Sequence, residues 1–73
     1  MLRFADLQVG QEYWYKEEGY GYEKVVVVSG PSYTSDGLIG VTIRNLDNGE
    51  EDWIGYNPNY PGYEPMFYEK DWE

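Results

Sequence analysis

The arrangement of hydrophobic and polar residues along the chain predicts several short β-strands. Residues 11–16 are rich in aromatic side chains, residues 22–29 contain four consecutive valines, and residues 38–45 alternate between apolar and polar positions. Period-two alternation and β-branched runs that end at glycine or proline are typical of strands. The valine run predicts a strand buried on both faces and is the strongest of the three signals.

Shorter signals complete the element prediction. Residues 50–56 predict a fourth strand, and residues 66–68 predict a short edge strand near the C-terminus. Residues 30–37 carry proline, serine, aspartate and glycine, which favour a turn or hairpin loop. Residues 2–9 predict one helical or 3₁₀ turn that leads into the first strand. The chain is therefore expected to be all-β, with four to five antiparallel strands.

The Asp-Asn-Gly turn at residues 47–49 predicts a hairpin, because asparagine and glycine tolerate the positive φ of tight turns. A two-residue loop would leave Trp53 outside the sheet, near Arg44. A three-residue loop would place Arg44 opposite Asp52 and bring Trp53 beside Ile43 in the core. A shift by one residue exchanges the faces of a strand, so the two registers predict opposite exposures for Trp53. We favour the buried tryptophan, because a small domain needs its large side chains and the Arg44–Asp52 pair is favourable.

The C-terminal segment has a different character from the strands. Residues 55–73 contain six aromatic residues, three prolines and four acids against one lysine. Prolines and an Asn-Pro turn are incompatible with an internal strand. Tyrosine and tryptophan are enriched at interface hot spots, so this segment is a candidate contact surface. We expect at least two of four aromatic side chains to be exposed: Tyr56, Tyr60, Tyr63 and Trp72.

The opening strand resembles that of a known superfamily. Residues 7–15 read Leu-Gln-Val-Gly-Gln-Glu-Tyr-Trp-Tyr, similar to the hydrophobic-x-x-Gly-x-x-aromatic opening of SH3-like small barrels, which include Tudor and KOW-type domains. Residues 22–29 and 40–54 extend the resemblance. It implies a small SH3-like barrel with residues 7–56 as its core and residues 57–73 as an irregular Tyr/Pro-rich, acidic extension. Seventy-three residues allow a single domain, 1–73.

The amino-acid composition limits the kinds of chemistry that the protein can carry out. The chain has no cysteine and no histidine, which removes disulfides, thiolate metal ligands and the usual neutral-pH base. No phosphate loop or nucleophile elbow is present, and the acidic clusters at 17–18 and 50–52 flank turns, where a solvated charged face is the ordinary explanation. We predict a protein that is not an enzyme and needs no cofactor or metal. The absence of cysteine and of any apolar run near the roughly 20 residues of a membrane helix favours a cytoplasmic protein without a membrane partner.

Fourteen acids against five basic residues give a net charge of −9, which argues against direct nucleic-acid binding. The same charge favours a protein partner with a basic surface, although acidity also keeps an aromatic-rich protein soluble. Small size, acidity and lack of cysteine together resemble the compact inhibitors that bacteriophages direct against RNA polymerase, CRISPR effectors or restriction enzymes. We predict such an inhibitor, acting partly by nucleic-acid mimicry as a monomer or weak homodimer.

Two alternatives remain open at the level of sequence. The first is a structural adaptor without mimicry. The second is a Tudor-like aromatic cage that binds a cation, with Glu17 or Glu18 at its rim. The cage would use Tyr13, Tyr15, Tyr20, Tyr22, Trp53 and Tyr56. The predicted partner-binding residues for the inhibitor are Glu12, Glu17, Glu18, Tyr20, Glu50, Glu51, Asp52, Tyr60, Tyr63, Glu64 and Trp72.

Overall fold

A computed structural model describes residues 2–17, 21–60 and 65–69 of the chain, with the side chain of residue 17 outside that description. Five antiparallel strands form one sheet, which confirms the all-β prediction. In the described part of the chain the helical structure is a single 3₁₀ turn, and no helix there is long and apolar enough to cross a membrane. The elements are the 3₁₀ turn Phe4–Asp6 and strands β1 (Glu12–Glu17), β2 (Gly21–Tyr33), β3 (Ile39–Asn45), β4 (Glu51–Tyr56) and β5 (Met66–Tyr68).

The strands follow one another as a meander, and the last strand returns beside the first. The order across the sheet is β4-β3-β2-β1-β5, and every neighbouring pair is antiparallel. Leu2 bridges the far side of β5, where its N–H donates to the Phe67 carbonyl at 2.9 Å. Among the described residues β4 pairs only with β3, so the sheet is not closed there.

One face of the sheet, called here the inner face, carries the hydrophobic core. Phe4 of the 3₁₀ turn and Phe67 of β5 are fully buried and meet edge to face with ring centroids 6.0 Å apart. Alternate residues of the other strands point to the same side, because successive side chains of a strand face opposite ways. The buried core is Phe4, Leu7, Tyr13, Val25, Val27, Ile39, Val41, Ile43 and Phe67. The opposite side of the sheet is called the outer face.

Strand β2 is longer than the sequence predicted. The prediction of a loop over 30–37 is wrong for its first four residues, because β2 continues to Tyr33 through two register shifts against β3. Gly30 has φ +90°, and a Cβ there would lie 2.8 Å from the Gly40 carbonyl oxygen. A glycine is therefore required at this irregular point of β2, where its backbone lies close to β3. The prediction of burial on both faces is also wrong, since the valines at 26 and 28 are only half-buried.

The β3–β4 hairpin adopts neither predicted register. Its loop has four residues: Asn45 N–H donates to the Glu50 carbonyl, and Gly49 N–H donates to the Asn45 carbonyl, each at 2.8 Å. Arg44 consequently lies opposite Glu51 and not Asp52. Trp53 lies opposite Thr42 on the outer face and is 48% exposed, so the prediction of a buried Trp53 is wrong.

The indole ring of Trp53 packs against two glycines, and this contact is called here the glycine seat. Gly40 and Gly55 are direct partners in the β3–β4 ladder, and a Cβ at either position would overlap indole atoms of Trp53. The indole therefore lies against bare backbone on the outer face, with about half of its surface in solvent. Trp53 is not part of the core, whose aromatic residues come instead from the 3₁₀ turn, β1 and β5.

Candidate functional site

Two chain reversals bring separate acidic segments to one end of the sheet. β1 ends and β2 begins at the same end as the β3–β4 loop, because Glu17 pairs with Gly21 and Val25 pairs with Asn45. This end, called here the acidic end, carries the side chains of Glu23, Asp47, Glu50, Glu51 and Asp52. Residues far apart in sequence thus form one concentration of negative charge.

A cavity of about 70 Å³ opens on the inner face at the acidic end. Three carboxylates line it, from Glu23, Glu50 and Asp52, together with one aromatic ring, from Tyr15. Its remaining walls are the amides of Asn45 and Asn48 and the apolar side chains of Val25, Ile43 and Ile54. Acidic, aromatic and apolar groups therefore surround one small space.

The side chain of Asn45 organises this cavity. Its Nδ2 donates to Glu23 Oε1, which ties β3 to β2 and orients the Glu23 carboxylate. Its Oδ1 accepts from the backbone N–H of Asp47 at 2.7 Å and of Asn48 at 3.3 Å. Asn48 Oδ1 in turn accepts from the Glu50 N–H at 2.9 Å. The loop that presents Glu50 is therefore held by side-chain-to-backbone hydrogen bonds typical of Asx turns.

Neither Glu50 nor Asp52 forms an ion pair within the described ranges. The two ion pairs seen there lie on the outer face. Arg44 Nη2 is 2.7 Å from Glu51 Oε2, and Lys24 Nζ is 3.7 Å from a Glu12 carboxylate oxygen. Arg44 and Lys24, whose strands reach the acidic end, are thus engaged on the opposite side of the sheet.

The predicted acidic residues therefore do not all share one face. The structure brings Glu50 and Asp52 together at the cavity, whereas Glu12 and Glu51 point to the outer face and are paired with cations. Tyr60 is 66% exposed, and it follows the far end of β4, away from the acidic end. The other predicted contacts, namely the side chain of Glu17 and residues Glu18, Tyr20, Tyr63, Glu64 and Trp72, lie outside the described residues.

Aromatic residues of the C-terminal segment differ in exposure. Tyr60 is exposed, whereas Tyr56 is half-buried with its ring centroid 5.3 Å from that of Phe4. Because Tyr63 and Trp72 lie outside the described residues, the expectation of two exposed rings stays a prediction.

The five residues of the cage hypothesis that the structure describes are divided between the faces. Tyr13 is buried, and its hydroxyl accepts from the Gln8 N–H at 3.1 Å. Tyr22 lies near Tyr68, with ring centroids 5.6 Å apart, and Trp53 lies on its glycine seat. Of the five cage residues that the structure describes, only Tyr15 lines the cavity. The described rings do not converge on one point.

Sequence reasoning did not select Asn45 and Asn48 as site residues. Their signal was present in the run Asn-Leu-Asp-Asn-Gly at 45–49, since asparagine side chains commonly bond backbone groups two or three residues ahead. Fold and site together define a small acidic all-β protein with a carboxylate-lined cavity. No family model, no curated protein and no solved structure matches the chain.

Proposed function

We propose that this protein is a small cytoplasmic inhibitor that docks its acidic end on a basic surface of a nucleic-acid-processing protein. The observation that carries the proposal is the cavity at which Glu23, Glu50 and Asp52 meet. Glu50 and Asp52 have no compensating cation within the described ranges, so their charge is available to a partner. In the proposed complex these carboxylates take the place that the phosphates of a nucleic acid would occupy on the partner.

The walls of the cavity suit a lysine or arginine side chain of the partner. Such side chains combine an apolar stem with a charged head. Val25, Ile43 and Ile54 offer apolar contact to the stem, and the carboxylates offer charge-assisted hydrogen bonds to the head. The ring of Tyr15 adds an aromatic contact for the cation.

The charge of the whole chain supports the same partner class. A net charge of −9 on 73 residues repels nucleic acid and attracts basic grooves at a distance. Charge of this kind raises association rates and selects partners more than it raises affinity, and salt weakens it. The proposed docking is therefore salt-sensitive.

The proposal includes an SH3-like barrel as the fold. The resemblance of residues 7–15 to the opening of such barrels supports it, as does a five-stranded meander whose last strand returns beside β1. In this fold the β3–β4 loop and the neighbouring ends of β2, β3 and β4 present the cavity.

Capture from a bacterial lysate tests the function with two variants of equal charge. Glu50→Gln combined with Asp52→Asn removes two charges at the cavity, and Asp6→Asn combined with Asp36→Asn removes two elsewhere. We expect the native protein to retain a nucleic-acid-processing protein at about 50 mM salt and to lose it near 200 mM, by analogy with polyanion binding. The cavity variant should lose most of this capture and the control variant little of it.

Three outcomes would contradict the proposal. Capture of only ribosomal or membrane-associated proteins would remove the partner class. Equal losses in the two variants would show that total charge, and not the cavity, determines binding. Capture that does not change with salt concentration would favour an adaptor that binds through its aromatic residues.

A further inference from the structure

The two edges of the sheet differ in the described structure. Beyond β5, Leu2 adds a bridge to Phe67, so that edge continues into another segment. Beyond β4, no described segment pairs with the strand. An unpaired edge presents a row of backbone N–H and C=O groups and is a template for an incoming strand.

The hairpin register shows which backbone groups point outward from β4. Residues directly opposite each other in an antiparallel pair alternate between hydrogen-bonded and non-hydrogen-bonded pairs. Asn45 and Glu50 form a bonded pair, and the same register continues along β4. Asp52 and Ile54 therefore bond to β3, whereas the N–H and C=O groups of alternate residues point away from it. These outward residues are Glu51, Trp53 and Gly55.

The side chains along this edge indicate the chemistry of the strand that would add there. On the inner side Asp52 stands at the acidic cavity beside Glu50, with no ion pair among the described residues. On the outer side Trp53 exposes 48% of its surface, next to Glu51. Side chains directly opposite across a strand pair lie about 5 Å apart at Cβ, within reach of a lysine or arginine head group. A cation on the outer side would lie over the indole of Trp53.

We propose that the free edge of β4, which faces away from β3, accepts an extended, basic segment of a partner protein by strand addition. A lysine or arginine of that segment would lie opposite Asp52. The basic character of the segment rests on the proposed function, whereas the mode of docking rests on the hairpin register. Backbone hydrogen bonds supply affinity in this mode, and alternate side chains supply specificity. A second copy of this chain is a poor occupant, because two molecules that each carry −9 repel one another.

The test uses a ten-residue peptide that alternates lysine and threonine. Its control is the same peptide with two adjacent central residues N-methylated. Successive N–H groups of a strand point to opposite edges, so each edge of the peptide carries one methyl group while its charge is unchanged. Amide hydrogen exchange of the whole protein, followed by NMR, is the readout. We expect the unmodified peptide to slow exchange at Glu51, Trp53 and Gly55, and to change it little at Asp52 and Ile54. N-methylation should weaken binding by roughly tenfold or more, because the peptide edge that faces β4 loses one hydrogen bond and its methyl group keeps the two backbones apart.

A matched pair of protein variants tests the predicted charge contact. Asp52→Asn should weaken the unmodified peptide several-fold, whereas Asp36→Asn, which removes the same charge from the β2–β3 loop, should have little effect. Equal effects of the two substitutions would overturn the pairing of the basic residue with Asp52.

Other results would overturn the proposal. Equal affinity of the two peptides would show electrostatic docking without strand addition. No binding of either peptide would show that the edge of β4 does not accept a strand. Neither result bears on the proposed inhibitor function, which lysate capture tests separately. Slow exchange at Trp53 in the free protein would show that the edge is already occupied. Dependence of that protection on protein concentration would identify a second copy as the occupant, and independence of it would identify this chain itself.

Discussion

Replacing Gly40 by alanine should displace the indole of Trp53 from the outer face. The three atoms nearest to a Cβ at this position all belong to the Trp53 side chain, and the Cβ would overlap them. Alanine has no strain of its own here, because Gly40 does not adopt a positive φ. The substitution therefore tests whether the seat of Trp53 contributes to stability.

The magnitude follows from the covered part of the indole. Trp53 is 48% exposed, so about half of its surface lies against the sheet. A fully buried aromatic side chain removes about 150–250 Å² from water, so half of it corresponds to ~100 Å². At ~25 cal/mol per Å² the loss is ~2.5 kcal/mol, and compact denatured states lower it to ~2 kcal/mol. Relief of the entropic cost of glycine returns about 0.5–1 kcal/mol. We expect a net loss of ~1–2 kcal/mol.

A double-mutant cycle by urea denaturation measures this coupling. The four proteins are the native chain, Gly40→Ala, Trp53→Ala and the double variant, with unfolding followed by far-UV circular dichroism. Gly40→Ala should lower the free energy of unfolding in the native background. In the Trp53→Ala background it should be neutral or slightly stabilising, because the clash is gone and the entropic cost of glycine is still relieved.

One result would refute this reasoning directly. If Gly40→Ala costs the same free energy with and without the indole, Trp53 does not occupy the glycine seat. Unchanged m-values across the cycle would show that the denatured state is not the source of the difference.

Two further predictions concern neighbouring contacts. Gly55→Ala should destabilise the protein even in the Trp53→Ala background, because a Cβ there also lies 2.8 Å from a backbone carbonyl oxygen of β3; full rescue in the same urea assay would contradict the geometry. Tyr13→Phe should lower the free energy of unfolding by ~1 kcal/mol through loss of the hydrogen bond from the Gln8 N–H. Tyr33→Phe, at a 71% exposed ring, is the control and should change little. Equal effects at the two tyrosines would show that the Gln8 bond contributes nothing.

Much of the strand content could be predicted, because its signals are local. Strands β1, β3 and β4 lie within one residue of their predicted bounds, and β5 lies at its predicted residues. Alternating apolar positions and a β-branched run report the local conformation of the backbone. The length of strand β2 was underestimated because Gly30, a residue typical of loops, here lies at a register shift within the strand and allows it to continue close to β3.

The hairpin register could not be predicted from its turn residues alone. The Asp-Asn-Gly sequence is compatible with loops of two, three or four residues. The choice depends on Asn45, whose side chain accepts from two loop amides and also donates to Glu23 on β2. Because Glu23 is twenty-two residues distant along the chain, this contact has no local signature. The register error then placed Trp53 on the wrong face.

The sequence by itself determined the secondary structure class, the acidity and the absence of cysteine and histidine chemistry, since these depend on residue type and local order. Tertiary structure alone decided which acids act together. Strand alternation sends Glu51 to the outer face and Asp52 to the inner face, and cross-strand neighbours then pair Glu51 with Arg44. The remaining carboxylates meet at the cavity only because the meander returns β2, β3 and β4 to one end of the sheet.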